Sequence, residues 1–170
     1  MGWRVGRALI AAFVLALPGC KVDSAVPLGP ASEGVIEPRL VGAWTCAGSD
    51  DGAEPGTLVF SQFDDTQYLV RIEGEGEEPS HLRAYSSTLA DTTFLNMQEL
   101  GESGDDGERG WRFMEYSFAD DGGVRLRLVA ADVFEGHEDS IASARQALEG
   151  ALGDPETLID ALRCTRRQPR

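Results

Sequence analysis

The stretch that decides the fold is residues 114–128, MEYSFADDGGVRLRL. Apolar and polar side chains alternate on both sides of its central turn sequence, which is the pattern of two half-buried β-strands. The Asp-Gly pair in the centre favours a tight hairpin, because glycine reaches the positive φ that such turns require. We therefore expect two antiparallel neighbouring strands, with Met114, Tyr116 and Phe118 on one face.

The same period of two recurs along the chain. Asp64-Asp65 and residues 90–92 separate two further pairs of alternating segments, as turns of hairpins do. The predicted strands before the central hairpin are 40–46, 57–63, 67–73, 81–89 and 93–100. With a closing strand near 163–166, they make a meander of about seven or eight strands.

The pattern becomes helical after Asp139. Ser143 and Gln146 have the spacing of a capping box, and apolar residues then mark one face until Gly153. Asp154-Pro155-Glu156 predicts a second short helical turn. We expect a mainly β domain, an antiparallel meander forming a barrel or half-barrel, with one or two short helices before the last strand.

The amino-terminal residues have the order of a secretory signal. Two arginines precede an apolar run from Ala8 to Leu17, which is too short to span a membrane. The run ends in Leu17-Pro18-Gly19-Cys20, which resembles the lipobox of bacterial lipoproteins. In that family the cysteine thiol receives a diacylglyceryl group and the chain is cleaved just before it. The resemblance implies a signal peptide at 1–19 and a lipidated Cys20.

The lipobox resemblance also implies a location. The protein would be held by its lipid in the cell envelope, and Lys21 after the cysteine resembles the signal for the outer membrane, facing the periplasm, in a host with two membranes. Residues 20–38 have no sustained period and contain three prolines, so we expect a lipidated amino terminus and flexible tether. Residues 39–170 would then form one domain with a single core.

Lipidation of Cys20 leaves two cysteines in an oxidising compartment, Cys46 and Cys164. We expect them to form a disulfide between the first and last elements of the domain. The alternative is a pair of free thiols that act as metal ligands or redox groups. No CxxC spacing or nearby histidine supports that alternative.

Charge and motifs restrict the function. The net charge of −14 argues against nucleic acid as a partner, because phosphate binding needs basic patches. His81 and His137 stand alone, without an HExxH spacing, and the aspartate-rich segments lack the order of a calcium loop. No nucleophile elbow or phosphate loop is present. We expect no enzyme activity, no metal site and no cofactor.

A short motif opens the first predicted strand, Gly42-Ala43-Trp44. It resembles the Gly-x-Trp opening of the lipocalin and avidin-like barrels. In those barrels the tryptophan closes one end and an arginine from the last strand packs across it. The resemblance implies a barrel-end plug made of Gly42, Trp44 and an arginine, either Arg163 or Arg166, with the cation over the aromatic face.

Two functions follow as hypotheses. The first is a structural or protein-interaction role in the envelope, with a barrel interior mostly filled by large side chains. The alternative, implied by the lipocalin resemblance, is the binding of a small hydrophobic ligand inside the barrel. The inward residues that distinguish them are Phe60, Tyr68, Val70, Phe94, Met114, Tyr116, Phe118 and Leu126. Their size predicts a mostly filled interior.

Overall fold

A computed structural model describes residues 24–49, 54–76, 78–101, 110–137 and 139–168. The predicted signal peptide and Cys20 lie outside the described residues. Within the described ranges, no helix has the length and apolar character needed to cross a membrane.

Eight antiparallel strands form a closed barrel in chain order, so the predicted barrel is confirmed. Each strand pairs with its sequence neighbours, and the last pairs with the first. The strands are β1 (Gly42–Gly48), β2 (Gly56–Gln62), β3 (Tyr68–Glu73), β4 (Ser80–Leu89), β5 (Thr92–Glu99), β6 (Arg112–Phe118), β7 (Val124–Val129) and β8 (Leu158–Arg166). A 3-10 helix (Ala131–Phe134) and the helix α1 (Ile141–Ala151) lie between β7 and β8.

The central hairpin has the predicted form. Met114 pairs with Leu128 and Phe118 pairs with Val124 across β6 and β7. In the turn, Gly122 has a φ of 81°, and the Asp121 carboxylate accepts a hydrogen bond from the Gly123 amide at 2.9 Å. The turn glycine therefore does what the sequence pattern requires.

The helical region differs from the prediction in two details. Ser140, and not Ser143, caps α1, because its hydroxyl accepts the Ser143 amide at 3.1 Å. The Asp154 segment is a turn and not a second helix, with the Asp154 carboxylate accepting the Glu156 amide at 2.9 Å. A capping aspartate starts either structure, so the local signal does not distinguish them.

The described residues form two hydrophobic cores. One fills part of the barrel interior. The other lies outside the barrel, where the outer faces of β4, β5 and β6 pack against α1 and the amino-terminal segment. Phe94 belongs to this outer core and not to the interior, because its strand position pairs with Glu115, which alternates with the inward Met114 and Tyr116. The prediction that Phe94 faces inward is therefore wrong.

Residues 24–37 form a packed segment, here called the strap. It runs across the outer core to the start of β1, and Leu28 within it is fully buried. Its backbone bonds to the sheet: the Leu28 amide donates to Asn96 Oδ1 at 2.7 Å, and the Val35 amide donates to Ser86 Oγ at 3.0 Å. The predicted flexible tether over 20–38 is therefore wrong from residue 24 onward. The prolines limit regular secondary structure there to one short 3-10 helix (Ala31–Glu33), but they do not prevent packing.

Candidate functional site

One end of the barrel is closed by the Gly-x-Trp tryptophan. Trp44 is buried, and its indole Nε1 donates to the Leu40 carbonyl at 2.8 Å. The Arg166 guanidinium lies over the ring, 4.6 Å from its centroid. It also donates to the carbonyls of Val41, at 3.1 Å, and Arg39. Arg166 thus joins the end of β8 to the segment before β1 across the tryptophan, and this is the closed end of the barrel.

Arg163 does not take part in this arrangement. It pairs with Ala47 on β1, its side chain is 79% exposed, and its nearest carboxylate is Asp160 at 3.8 Å. Residues three apart on a strand point to opposite faces, so Arg163 and Arg166 cannot both cover the plug. Of the two arginines, Arg166 is the one over Trp44, and the assignment of Arg163 is wrong.

Gly42 has a steric role at the same place. Its φ is 134°, a backbone conformation that residues with a side chain rarely adopt. A Cβ there would lie 2.8 Å from Arg166 Nη1. The glycine of the motif therefore leaves the space in which the arginine sits.

The predicted disulfide is present between Cys46 and Cys164. The two cysteines face each other across the β1–β8 pair and belong to the interior core, which continues from Trp44 toward the opposite end of the barrel. The bond closes the barrel covalently where its first and last strands meet. With both sulfurs joined, the alternative of two free thiols does not apply.

Aromatic side chains fill the closed half of the interior. Phe60 meets Tyr68 edge-on with ring centroids 6.0 Å apart, and Tyr116 meets Phe118 at 5.9 Å. The Tyr68 hydroxyl accepts the Glu37 amide of the strap. Burial raises the pKa of Tyr68, and it raises the pKa of Tyr116 to about 12. The two edge-on ring pairs pack this half as core. Phe60 also borders the interior cavity of the opposite half, and Tyr116 borders a pocket between the strap and α1.

The opposite half contains a cavity of about 250 Å³. Its apolar walls come from seven strands, β2 to β8, and include Leu58, Phe60, Ile72, Leu82, Leu95, Met97, Met114, Leu126, Leu128, Ala161 and Leu162. The cavity extends from Phe60 and Leu58, which pairs with Trp44, toward the ends of β3 and β5 and the start of β4. The expectation of a mostly filled interior is therefore correct only for the closed half. The largest side chains cluster there, and leucine and methionine line the rest.

Polar side chains border this cavity only on the side away from the plug, which we call the mouth. They are Glu78, Ser80, Glu99 and Arg112. Arg112 is half-buried, and no carboxylate of the described residues lies within ion-pair distance of it. The mouth thus offers a guanidinium, a hydroxyl and carboxylates next to an apolar interior.

Arg112 was not among the predicted site residues, although the sequence contains its signal. It stands two residues before Met114, so the period of two that places Met114 inside the barrel also turns Arg112 inward. A charged residue at the end of such a series marks the edge of the apolar interior.

The histidines are placed away from the cavity. His81 is exposed on β4, at the position that pairs with Arg71. His137 Nδ1 lies 3.2 Å from the Ser143 hydroxyl near the start of α1. Among the described residues, no group of three or more histidine, cysteine, aspartate or glutamate side chains is arranged to hold a metal ion.

Among the described residues, the fold and the site define an eight-stranded, antiparallel up-and-down barrel with one plugged end and an apolar cavity toward the other end. Comparisons with protein-family models, with curated proteins and with solved structures give no match for this chain.

Proposed function

We propose that the chain is a lipid-anchored protein of the bacterial cell envelope whose barrel binds a small, mainly apolar molecule. The observation that supports ligand binding is the apolar cavity of about 250 Å³ in the open half of the barrel. A dry cavity of about 150 Å³ accommodates benzene, and pockets for drug-sized molecules begin at roughly 300 Å³. The suitable ligand is therefore a single ring system or a short alkyl chain.

The distribution of polar groups gives the ligand an orientation. The inner walls are apolar, while Ser80, Arg112 and the two carboxylates stand at the mouth. Burying a polar group without a partner costs free energy, so the apolar part of a ligand would enter first and its polar part would remain at the mouth. The proposed ligand is amphipathic and small.

A purely structural or interaction role explains the cavity less well. Leaving apolar side chains around an empty space sacrifices packing and destabilises a fold, so a barrel that acts only as a scaffold gains nothing from it. The plug of Gly42, Trp44 and Arg166 has the form that the lipocalin resemblance implies. That resemblance supports the same proposal, since lipocalins hold ligands inside the barrel.

The anchor is supported by the sequence at 17–20. Each buried methylene of an acyl chain contributes about 0.8 kcal/mol, so two or three chains on Cys20 hold a protein durably at a bilayer. In a host with two membranes, the proposed location is the outer membrane, facing the periplasm. The proposal includes no catalytic step and no cofactor.

The test of ligand binding uses the chain from residue 20 with Cys20→Ser, which is free of lipid. Its binding of N-phenyl-1-naphthylamine is measured by the rise in dye fluorescence. Leu128 lines the cavity, so Leu128→Trp fills it and should weaken binding by at least about ten-fold, which corresponds to 1.4 kcal/mol. The control variant is Leu69→Trp. Leu69 alternates with the inward Tyr68 and Val70, so this substitution adds the same volume outside the barrel.

The control variant should bind the dye as the parent does. Equal affinity of the Leu128→Trp and parent proteins would place the dye elsewhere and refute the cavity as the site. Circular dichroism of both variants establishes that they keep the fold, so that a loss of binding is not a loss of structure.

A further inference from the structure

The described chain begins beside the mouth of the barrel. The Ser24 amide donates to the Trp111 carbonyl at 3.2 Å, and the Trp111 amide donates to the Ser24 carbonyl at 2.8 Å. Trp111 directly precedes Arg112, which borders the cavity. Ser24 is 1% exposed, so this backbone pair is buried. The strap therefore starts at the open end of the barrel.

From Ser24 the strap is held along its course. The Arg83 guanidinium lies 4.8 Å from the centroid of the Trp111 ring, next to the first contact. Further on, Arg145 of α1 donates to the Leu28 carbonyl at 2.8 Å. The strap ends at Glu37, and three residues later the fully buried Leu40 accepts the Trp44 indole hydrogen at the plug. The residues from Ser24 onward are thus packed against the barrel, and they do not add to the length of chain between Cys20 and the barrel.

The length of chain between the anchor and Ser24 is short. Cys20 and Ser24 are separated by three residues, so their Cα atoms are at most about 14 Å apart even when the chain is fully extended. The barrel is roughly 15–20 Å high along its axis, since its strands have six to ten residues and are tilted. An anchor at Cys20 does not reach far enough for the closed end to rest on the bilayer.

We infer that the open end of the barrel faces the bilayer that holds the acyl chains of Cys20, and that the cavity exchanges its ligand directly with that leaflet. The ligand class is then an amphiphile that partitions into membranes, with its polar group among Ser80 and Arg112 and its apolar part inside. This inference rests on the proposed lipid anchor and on the proposed cavity site, and it adds the orientation and the source of the ligand.

The test measures which end of the barrel lies near the lipid. The full lipidated protein is reconstituted into phosphatidylcholine vesicles that contain a nitroxide label on part of the headgroups. A zwitterionic lipid is chosen because Glu78 and Glu99 at the mouth would be repelled by an anionic leaflet. A fluorescent label is placed on Ser80→Cys at the mouth or on Asp120→Cys in the β6–β7 turn at the closed end.

We expect nitroxide quenching to be at least about two-fold stronger at Ser80→Cys, because the two labels stand roughly 15–20 Å apart along the barrel. A matched control inserts a flexible linker of glycine and serine, about twelve residues long, directly before Ser24. This linker adds a span of about 19 Å. In that control the difference between the labels should fall markedly while the protein stays bound to the vesicles.

Equal quenching of the two labels, or stronger quenching at Asp120→Cys, overturns the orientation. Dye binding by the Cys20→Ser chain is independent of this result, so the cavity proposal can stand when the orientation fails. Intact-mass measurement of the purified protein tests the anchor separately, and an unacylated amino terminus would refute both the anchor and the orientation.

Discussion

At the scale of single residues, the closed end of the barrel depends on three side chains that need one another. Gly42 leaves the space that the Arg166 guanidinium occupies, and Arg166 covers Trp44. The same guanidinium donates to carbonyls in the segment that leads into β1. The Gly-x-Trp motif is thus a structural unit, and its glycine is required for both its backbone conformation and its missing side chain.

The Gly42→Ala variant tests which of these two roles matters more. Alanine at a φ of 134° is strained, so we expect a loss of about 1–3 kcal/mol in the free energy of unfolding, measured in urea. The same substitution in an Arg166→Met background should cost nearly as much, because the backbone strain does not depend on the arginine. If the cost disappears in that background, the side-chain contact and not the backbone is the cause.

At the scale of elements, one buried amide links the strap to two strands of the barrel. Asn96 is fully buried on β5, and its Oδ1 accepts the Leu28 amide. Its Nδ2 donates to the Tyr85 carbonyl at 3.1 Å and to Ser87 Oγ at 2.9 Å. One side chain therefore joins β4, β5 and the strap, and every polar atom of its amide group has a partner.

The Asn96→Ala variant should loosen the strap around Leu28, although its other hydrogen bonds to the barrel and α1 remain. It leaves the Leu28 amide and the Tyr85 carbonyl without these partners, which costs about 1–3 kcal/mol in the free energy of unfolding. Hydrogen exchange of the amides in residues 24–37 should accelerate by about ten-fold or more. Gln62→Ala, which removes an exposed amide from the β2–β3 turn, serves as the control. Unchanged exchange in the strap would contradict the role of Asn96.

At the scale of the whole molecule, the two cores divide the tyrosines between them. The chain has three tyrosines: Tyr68 and Tyr116 lie in the barrel interior, and Tyr85 packs edge-on to Trp111 outside it, with ring centroids 5.5 Å apart. Burial is the main cause that raises the pKa of each, to about 12 for Tyr85 and Tyr116. Folding therefore holds all three phenols in their neutral form.

This predicts unfolding in alkali. The folded pKa values lie above the value near 10 of an unfolded tyrosine, so the contribution to stability is complete below about pH 10 and is lost as the pH rises toward 12. Urea unfolding across this range should show a steep fall in free energy. Tyr116→Phe should make the fall shallower, because one titrating group is gone. A stability that stays flat between about pH 10 and 12 would contradict the burial of the phenols.

Much of the barrel could be predicted because its signals are local. Alternation of apolar and polar residues marks the strands, and the glycines of the 120–123 turn define the central hairpin. The disulfide follows from counting cysteines in a chain that the lipobox resemblance predicts to be exported, and a helix before the last strand follows from its capping residues. The prediction of the cap at Ser143 was wrong by one turn, because serine at 140 carries the same local signal.

By itself, the sequence predicted the order of the strands, their hairpin pairings, the cysteine pair and the plug motif, whereas closure of the barrel was left open between a barrel and a half-barrel. Only the tertiary structure decided that Phe94 faces outward, that Arg166 covers Trp44, that the strap is packed and that half of the barrel is hollow. The register shift between β7 and β8 near Leu126 shows why. Which side chains point into the barrel, and how much of its interior they occupy, depend on contacts between residues far apart in the chain. No local sequence pattern predicts how much space those contacts leave.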